Sequence, residues 1–201
     1  FNGISFCAAY VMRARIGILS IVFCLGIPGK SVTAGEVRHT CLTAATLAEE
    51  KYDIPAGLLT AIGLRESRFD GQMWPWSLNI AGSARRYATS LDARKVVRRL
   101  QDAGQVGFDV GCFQIHFRWL GQSCVKSAEI LLDPGLNAFC AAGYLKQLRQ
   151  TTGSWTSAVE AYHVGPNRQD PSARRRARKY ACLVGKTFAT IRGVDAECDK
   201  E

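Results

Sequence analysis

The sequence predicts a mainly α, single-domain protein braced by disulfides. Three observations predict it: apolar residues recurring at helical spacing, capping residues at the segment boundaries, and eight cysteines in 201 residues. One domain suits this length. With 47% hydrophobic and 21% charged residues, the chain has the material for one packed core and is not a disordered segment. No apolar run reaches the roughly 18 residues of a membrane span, so no integral span is expected in the mature chain. No stretch alternates strongly with period two, although Val110 to Trp119 is ambiguous.

The first segment reads as a secretory signal peptide over residues 1–34. Arg13 to Arg15 supply a positive start, Ile16 to Ile27 an apolar stretch, and Val32-Thr33-Ala34 the small residues of a cleavage site. The competing reading is a short buried helix. Met12 serves as an alternative true start, since residues 1–11 add nothing a signal needs. Cys24 is a poor lipoprotein acceptor because bulky Phe23 precedes it. Cleavage after Ala34 removes Arg13, Arg15, Lys30 and no acid, so the net charge falls from +9 to +6. It leaves Cys41, Cys112, Cys124, Cys140, Cys182 and Cys198. An even number in an oxidising compartment, with no C-x-x-C pair, reads as disulfides, and six cysteines allow 15 connectivities.

The helices follow in order. Cys41 to Lys51 is an alanine-rich helix. Pro55 opens the next, with Leu58, Leu59 and Ile62 on one stripe. Residues 70–90 form an irregular stretch containing GQMWPWSLNIAG, long enough for a lid or wall. Ser90 is the expected N-cap of a helix with Val96, Val97 and Leu100 inward and Arg94, Lys95, Arg98 and Arg99 outward, ended by Gly104. Asp133-Pro134 starts a helix carrying Leu136, Phe139, Cys140, Ala141 and Leu148 until Gly153. Ser154 caps a short helix with Ala158, Val159 and Tyr162. Ser172 opens the last, with Tyr180, Leu183, Val184, Thr187 and Ile191 inward.

Several chemistries lack their motifs. There is no G-x-S-x-G elbow, Walker A loop or G-x-G-x-x-G. The three histidines, His39, His116 and His163, form no H-E-x-x-H, so no metal site and no cofactor are expected. The run Arg174-Arg175-Arg176, Arg178, Lys179 could grip nucleic acid, but a solvated helix face is the stronger reading for a secreted chain.

Glu66 stands out among the carboxylates. It lies four residues beyond Ile62 and seven beyond Leu59, so it continues the apolar stripe. It also falls near a helix end whose dipole opposes negative charge. Burial and the dipole would both raise its pKa and suit it to general acid work. A structural pairing with Arg65 or Arg68, or an outward-frayed side chain, is the alternative.

Four motifs then follow in the order of the lytic transglycosylase SLT domain: LLTAIGLRESR (58–68), DVGCFQI (109–115), DPGLNAFCAAGYL (133–145) and AVEAYHVG (158–165). The sequence from about 41 to 166 resembles this goose-type lysozyme-like family, which cleaves peptidoglycan strands. WPWSLNIAG also looks like a small, single-domain proteobacterial subgroup. The resemblance implies a lysozyme-like catalytic domain with a substrate cleft over residues 35–192, a C-terminal tail over 193–201, and a periplasmic location.

Carried over residue by residue, the resemblance implies that Glu66 is the catalytic acid. Ser67 would hold the substrate and the catalytic carboxyl, and Gln114 would line the muramic acid side. Tyr162 would approach and orient Glu66, and Asn137 would support the site. Asn79, in the WPWSLNIAG segment, joins the substrate-binding candidates. The family's usual Asn is replaced by His163 in the fourth motif and by His116 after Gln114-Ile115. His163 would titrate there or fill the polar slot as a neutral ring. Trp74, Trp76, Phe113, Trp119 and Trp155 read as sugar-stacking surfaces or as core. Trp74 and Trp76, beside Pro75, favour a cleft wall, and Trp155 favours the core.

The implied route uses one carboxylate, Glu66 acting as acid and then base, and yields 1,6-anhydromuramoyl ends. A hydrolytic muramidase with Asp70 or Asp109 as base, or a catalytically inactive wall-binding module, is the alternative. The resemblance also suggests pairing Cys41 with Cys112, which would leave Cys124 with Cys140 and Cys182 with Cys198. A bridge at Cys112 would brace the backbone next to Gln114. The expected partner is the peptidoglycan strand, with an envelope-spanning secretion or conjugation machine as a further one. A monomer is expected, and no nucleic acid.

Overall fold

Capping residues set the helix boundaries in the computed structural model, which describes residues 40–167 and 170–198. The expected signal segment 1–34, with Met12, lies outside the described residues. Helix α1 (Cys41–Tyr52) begins at Thr40, whose hydroxyl accepts from Thr43 N. Its buried face is Cys41, Ala44, Ala45, Ala48 and Glu49, the i, i+3, i+4 spacing of one helical side. Short α2 (Leu58–Glu66) follows, with Leu58, Leu59 and Ile62 buried. Its N-cap is Gly57, which has no side chain to satisfy the free amides. The buried Glu49 does so from α1: its carboxylate accepts from Gly57 N at 2.8 Å and Thr60 N at 2.9 Å.

The stretch expected to be irregular is two antiparallel hairpins. Strands β1 (Arg68–Phe69) and β2 (Gln72–Met73) pair with each other. Strands β3 (Ser77–Ile80) and β4 (Ser83–Arg86) pair around Ala81-Gly82. The tight turns use left-handed residues, Asp70-Gly71 and Ala81-Gly82. With strands this short, no run is long enough to show alternation. Strand β6 (Ile115–His116) lies in the ambiguous 110–119 region and β5 (Phe108–Val110) only ends there; the two complete a sheet of order β4-β3-β5-β6.

Between the two hairpins and β5 runs α3 (Ser90–Asp102). Thr89 is its N-cap in place of the expected Ser90, because the Thr89 hydroxyl accepts from Asp92 N. Ala93 and Val97 are buried, while Val96 and Leu100 are half-buried. After β6 come a π-helical turn (Phe117–Gly121), the single turn α4 (Gln122–Cys124) and a 3-10 turn (Ala128–Leu132).

Helix α5 (Pro134–Thr152) runs from an Asp133 cap to Gly153 as expected, although Leu136 in its first turn is exposed. Helix α6 (Trp155–Val164) starts at its Ser154 cap. Helix α7 (Pro171–Ile191) is capped by Asp170, which accepts from Ala173 N, so it begins one residue before Ser172. Tyr180 and Val184 are buried on α7, whereas Ile191 at its last residue is exposed; alanines 173, 177, 181 and 189 fill the rest of the inner face. The fold is thus mainly α, with α1 on α5, α5 on α6, and both α2 and α6 on α7. The three cysteine pairs Cys41–Cys112, Cys124–Cys140 and Cys182–Cys198 lie at disulfide geometry, with Cα separations of 5.8, 5.9 and 5.6 Å.

Glu49→Ala is expected to lower the unfolding free energy by roughly 1–3 kcal/mol, because Gly57 and Thr60 N–H lose a buried acceptor. Urea unfolding checks this, and a change below about 0.5 kcal/mol would contradict the capping role.

Candidate active site

Glu66 is the last residue of α2, and its side chain reaches a cleft of about 810 Å³, a volume ordinary for a ligand pocket. The α2 carbonyls that end there oppose an added negative charge. Burial is the main influence on the carboxyl and raises its pKa to about 7 from 4.5. A hydrogen bond from Tyr180 works in the opposite sense, nearby Asp109 raises it further, and Arg65 lowers it. Tyr180 Oη donates to Glu66 Oε1 at 2.5 Å, which leaves Oε2 to carry the acidic proton. Tyr180 itself is raised well above its ordinary value, mainly by burial, and stays protonated.

Tyr180 was legible only as an inward residue of the last helix. Its partner is 114 residues away, a pairing that helical spacing does not reveal. Tyr162, expected to orient Glu66, lines the cleft but donates its hydroxyl to Phe113 O at 2.9 Å. The hydrogen bond to Glu66 therefore comes from α7, while Tyr162 anchors the neighbouring wall and interacts with Glu66 only through space.

That wall is the loop between β5 and β6. Gly111 takes φ +84°, and a Cβ there would run into the Asn137 amide and Leu131 O, at 2.6 Å from the latter. Gln114 is itself left-handed, φ 47°, an unusual conformation for a non-glycine residue. Its Nε2 donates to Gly111 O at 2.8 Å, so its side chain is turned back on its own loop at the cleft surface. Asn137, fully buried, holds the loop from behind: Phe113 N donates to its Oδ1, and its Nδ2 donates to Val110 O and Leu131 O, each at 2.9 Å. Ser67, also buried, ties the end of α2 to this loop by donating to Cys112 O at 2.7 Å. Both residues act behind the cleft surface; neither lines it.

Asn79, Asp109 and His116 form a row across the sheet, since Asp109 is register partner to both others. All three line the cleft. Asn79 Nδ2 donates to Asp109 Oδ2 at 2.9 Å. Burial raises the Asp109 pKa, while the adjacent His116 and the Asn79 bond lower it. Asn79 Oδ1 and His116 Nδ1 are buried without a hydrogen-bond partner among the described residues, which leaves polar capacity at this face. Asp70 is exposed in the β1–β2 turn and takes no part.

The aromatic residues divide differently from the expectation. Trp74 and Trp76 do not line the cleft. Trp74 Nε1 donates to Tyr87 O at 2.8 Å, and the two indoles pack edge to face at 5.8 Å. Phe113 is fully buried, and Trp155 packs against the core under Lys146 and Arg149. Trp119, 75% exposed, is the tryptophan that lines the cleft, with its ring stacked near His116. His163 lines it too and stacks on Tyr180 at 4.2 Å between ring centres. Burial and then Arg176 lower its pKa, so the ring is neutral at pH 7. Among the described residues no group of three or more His, Cys, Asp or Glu is placed to hold a metal ion, and no helix is long and apolar enough to cross a membrane.

Because the folded pKa of Glu66 lies above its unfolded value, the stabilisation of its protonated form is complete below pH 4.5 and is lost as pH rises through about 7. Glu66→Gln is therefore expected to become more stable relative to the unaltered protein between pH 4 and pH 8, by at most about 3 kcal/mol. Thermal unfolding across that range checks it, and a pH-independent difference would contradict it.

The model of one family, described as transglycosylase SLT domain, matches residues 44–182. No curated protein and no solved structure matches the chain significantly.

Proposed function

The chain belongs to the transglycosylase SLT domain family, and from that premise we propose that it cuts the β-1,4 bond between N-acetylmuramic acid and N-acetylglucosamine in peptidoglycan, leaving 1,6-anhydromuramoyl ends. The observation that carries this reading is the Glu66 carboxyl, whose pKa burial raises to about 7 and which Tyr180 holds at the cleft. A group with a pKa near the working pH can give up a proton and take one back within a turnover.

In the proposed sequence Glu66 Oε2 gives its proton to the glycosidic oxygen as the C1–oxygen bond breaks. The oxygen of the substrate's own 2-acetamido group bonds to C1 and takes up the developing positive charge. Glu66, now a carboxylate steadied by the Tyr180 hydroxyl, removes the proton from the C6 hydroxyl. The C6 oxygen closes on C1 and displaces the acetamido oxygen. Glu66 ends protonated, and no water is consumed. Gln114 and Tyr162 shape the muramic side of the cleft, and exposed Trp119 offers a flat face for a sugar ring. Secretion to the periplasm through residues 1–34 is part of the proposal; the three cysteine pairs suit an oxidising compartment.

One observation favours a second reading. Asp109 shares the cleft with Glu66, and a second carboxylate could activate water and make the reaction a hydrolysis. The products separate the two. Digestion of purified peptidoglycan by the oxidised mature protein, read by mass spectrometry, is expected to give anhydromuramoyl ends. Glu66→Gln is expected to reduce them by about 100-fold or more. Reducing-end products would transfer the reading to the muramidase.

A further inference from the structure

Behind Glu66 lies a second recess, of about 260 Å³, that the chemistry above does not use. It is below the roughly 300–1,000 Å³ of ordinary ligand pockets, so it suits a side arm better than a glycan strand. One edge of α7 supplies Arg176, Lys179, Tyr180 and Leu183, and Arg65 closes it from α2. The spacing 176, 179, 180, 183 is i, i+3, i+4, i+7, so these residues share one stripe of the helix. Glu66 and His163 line both this recess and the main cleft, which makes the two spaces neighbours across the reacting carboxyl.

The lining is strongly one-signed. Arg65, Arg176 and Lys179 are exposed cations. Arg176 Nη1 donates to the neutral Ser172 hydroxyl, and none of the salt bridges found among the described residues includes these three cations. Glu66 is the one carboxylate in the lining among the described residues, and with a pKa of about 7 it is only partly ionised near neutral pH, so the three cations outweigh it in either state. His163 is neutral there. Three cations around a small recess with an apolar wall from Leu183 are complementary to a short anionic chain.

We propose that this recess binds the carboxylates of the peptide stem carried by the muramic acid at the cutting site, so that the enzyme selects peptide-bearing strands. The inference rests on the proposed function and deepens it. The stem leaves the sugar whose bond Glu66 attacks, so its carboxylates enter the space adjoining Glu66. Strands stripped of peptide by an amidase keep only the lactyl carboxylate beside the sugar and leave the recess empty. Selection then arises from Arg65, Arg176 and Lys179 and weakens with added salt.

The test compares kcat/KM on intact strands and on amidase-stripped strands. Variants are Arg176→Ala/Lys179→Ala and the charge-preserving Arg176→Lys/Lys179→Arg. The unaltered protein is expected to favour intact strands about fivefold or more, the range two exposed charge contacts supply. The alanine pair is expected to bring the ratio near one, and the charge-preserving pair to keep most of it. Free stem tetrapeptide is expected to compete for intact strands better than inorganic phosphate at equal ionic strength. An equal loss on both substrates, an unchanged ratio, or stronger competition by phosphate overturns the inference while leaving the proposed function intact. Absence of anhydromuramoyl products from both substrates overturns the proposed function and the selectivity with it.

Discussion

The site depends on the desolvation of one carboxyl at the end of a buried helix. Glu66 sits where α2 stops, at the negative end of the helix dipole, and its carboxyl is desolvated. Water would restore an ordinary acidity, so the packing around α2 sets the chemistry. Tyr180 works against the rise by donating to Oε1. The balance leaves a pKa of about 7, between an acid that never ionises and a carboxylate that never donates.

The rest of the fold fixes that helix at both ends. At its start, the carboxylate of Glu49 substitutes for the cap that Gly57 lacks. At its end, Ser67 donates to Cys112 O, and Cys112 is paired in turn with Cys41 on α1. The helix approaches the glutamine loop closely along its side. A Cβ on Gly63 would come within 2.8 Å of the Phe113 ring, so glycine at that position permits the contact. The same loop is held from behind by Asn137 and in front by the Tyr162 hydroxyl. Glu66 and Gln114 therefore face one cleft because α1, α2 and α5 all grip the same short loop.

What could be read from the sequence was what is local. Helix periodicity and capping residues placed the starts of five of the six expected helices within a residue or two, because those signals lie within one turn of the chain; α2 begins at Leu58, three residues after the expected Pro55, and α4 was not expected. Glu66 was legible for the same reason: its place on the stripe of Leu59 and Ile62 is a property of one helix. The strands were not legible, since segments of two to four residues carry no alternation. Tyr180 was visible as buried, but its hydroxyl's partner is set by how α7 crosses α2. Trp74 and Trp76 misled because an exposed-looking tryptophan can spend its N–H on a backbone carbonyl and pack on its neighbour. Asn137 has the supporting place expected of it, whereas Ser67, expected to hold the substrate and the catalytic carboxyl, bonds the backbone behind the cleft.

The protonation of Glu66 can be measured without any substrate. Carboxyl carbon chemical shifts of glutamate-labelled protein, followed by NMR from pH 3 to pH 9, would isolate Glu66 by the signal absent from Glu66→Gln. A midpoint of about 7 is expected for that signal. A midpoint at the ordinary glutamate value of roughly 4.3 would contradict it, and would remove the reason for assigning Glu66 both the giving and the taking of a proton.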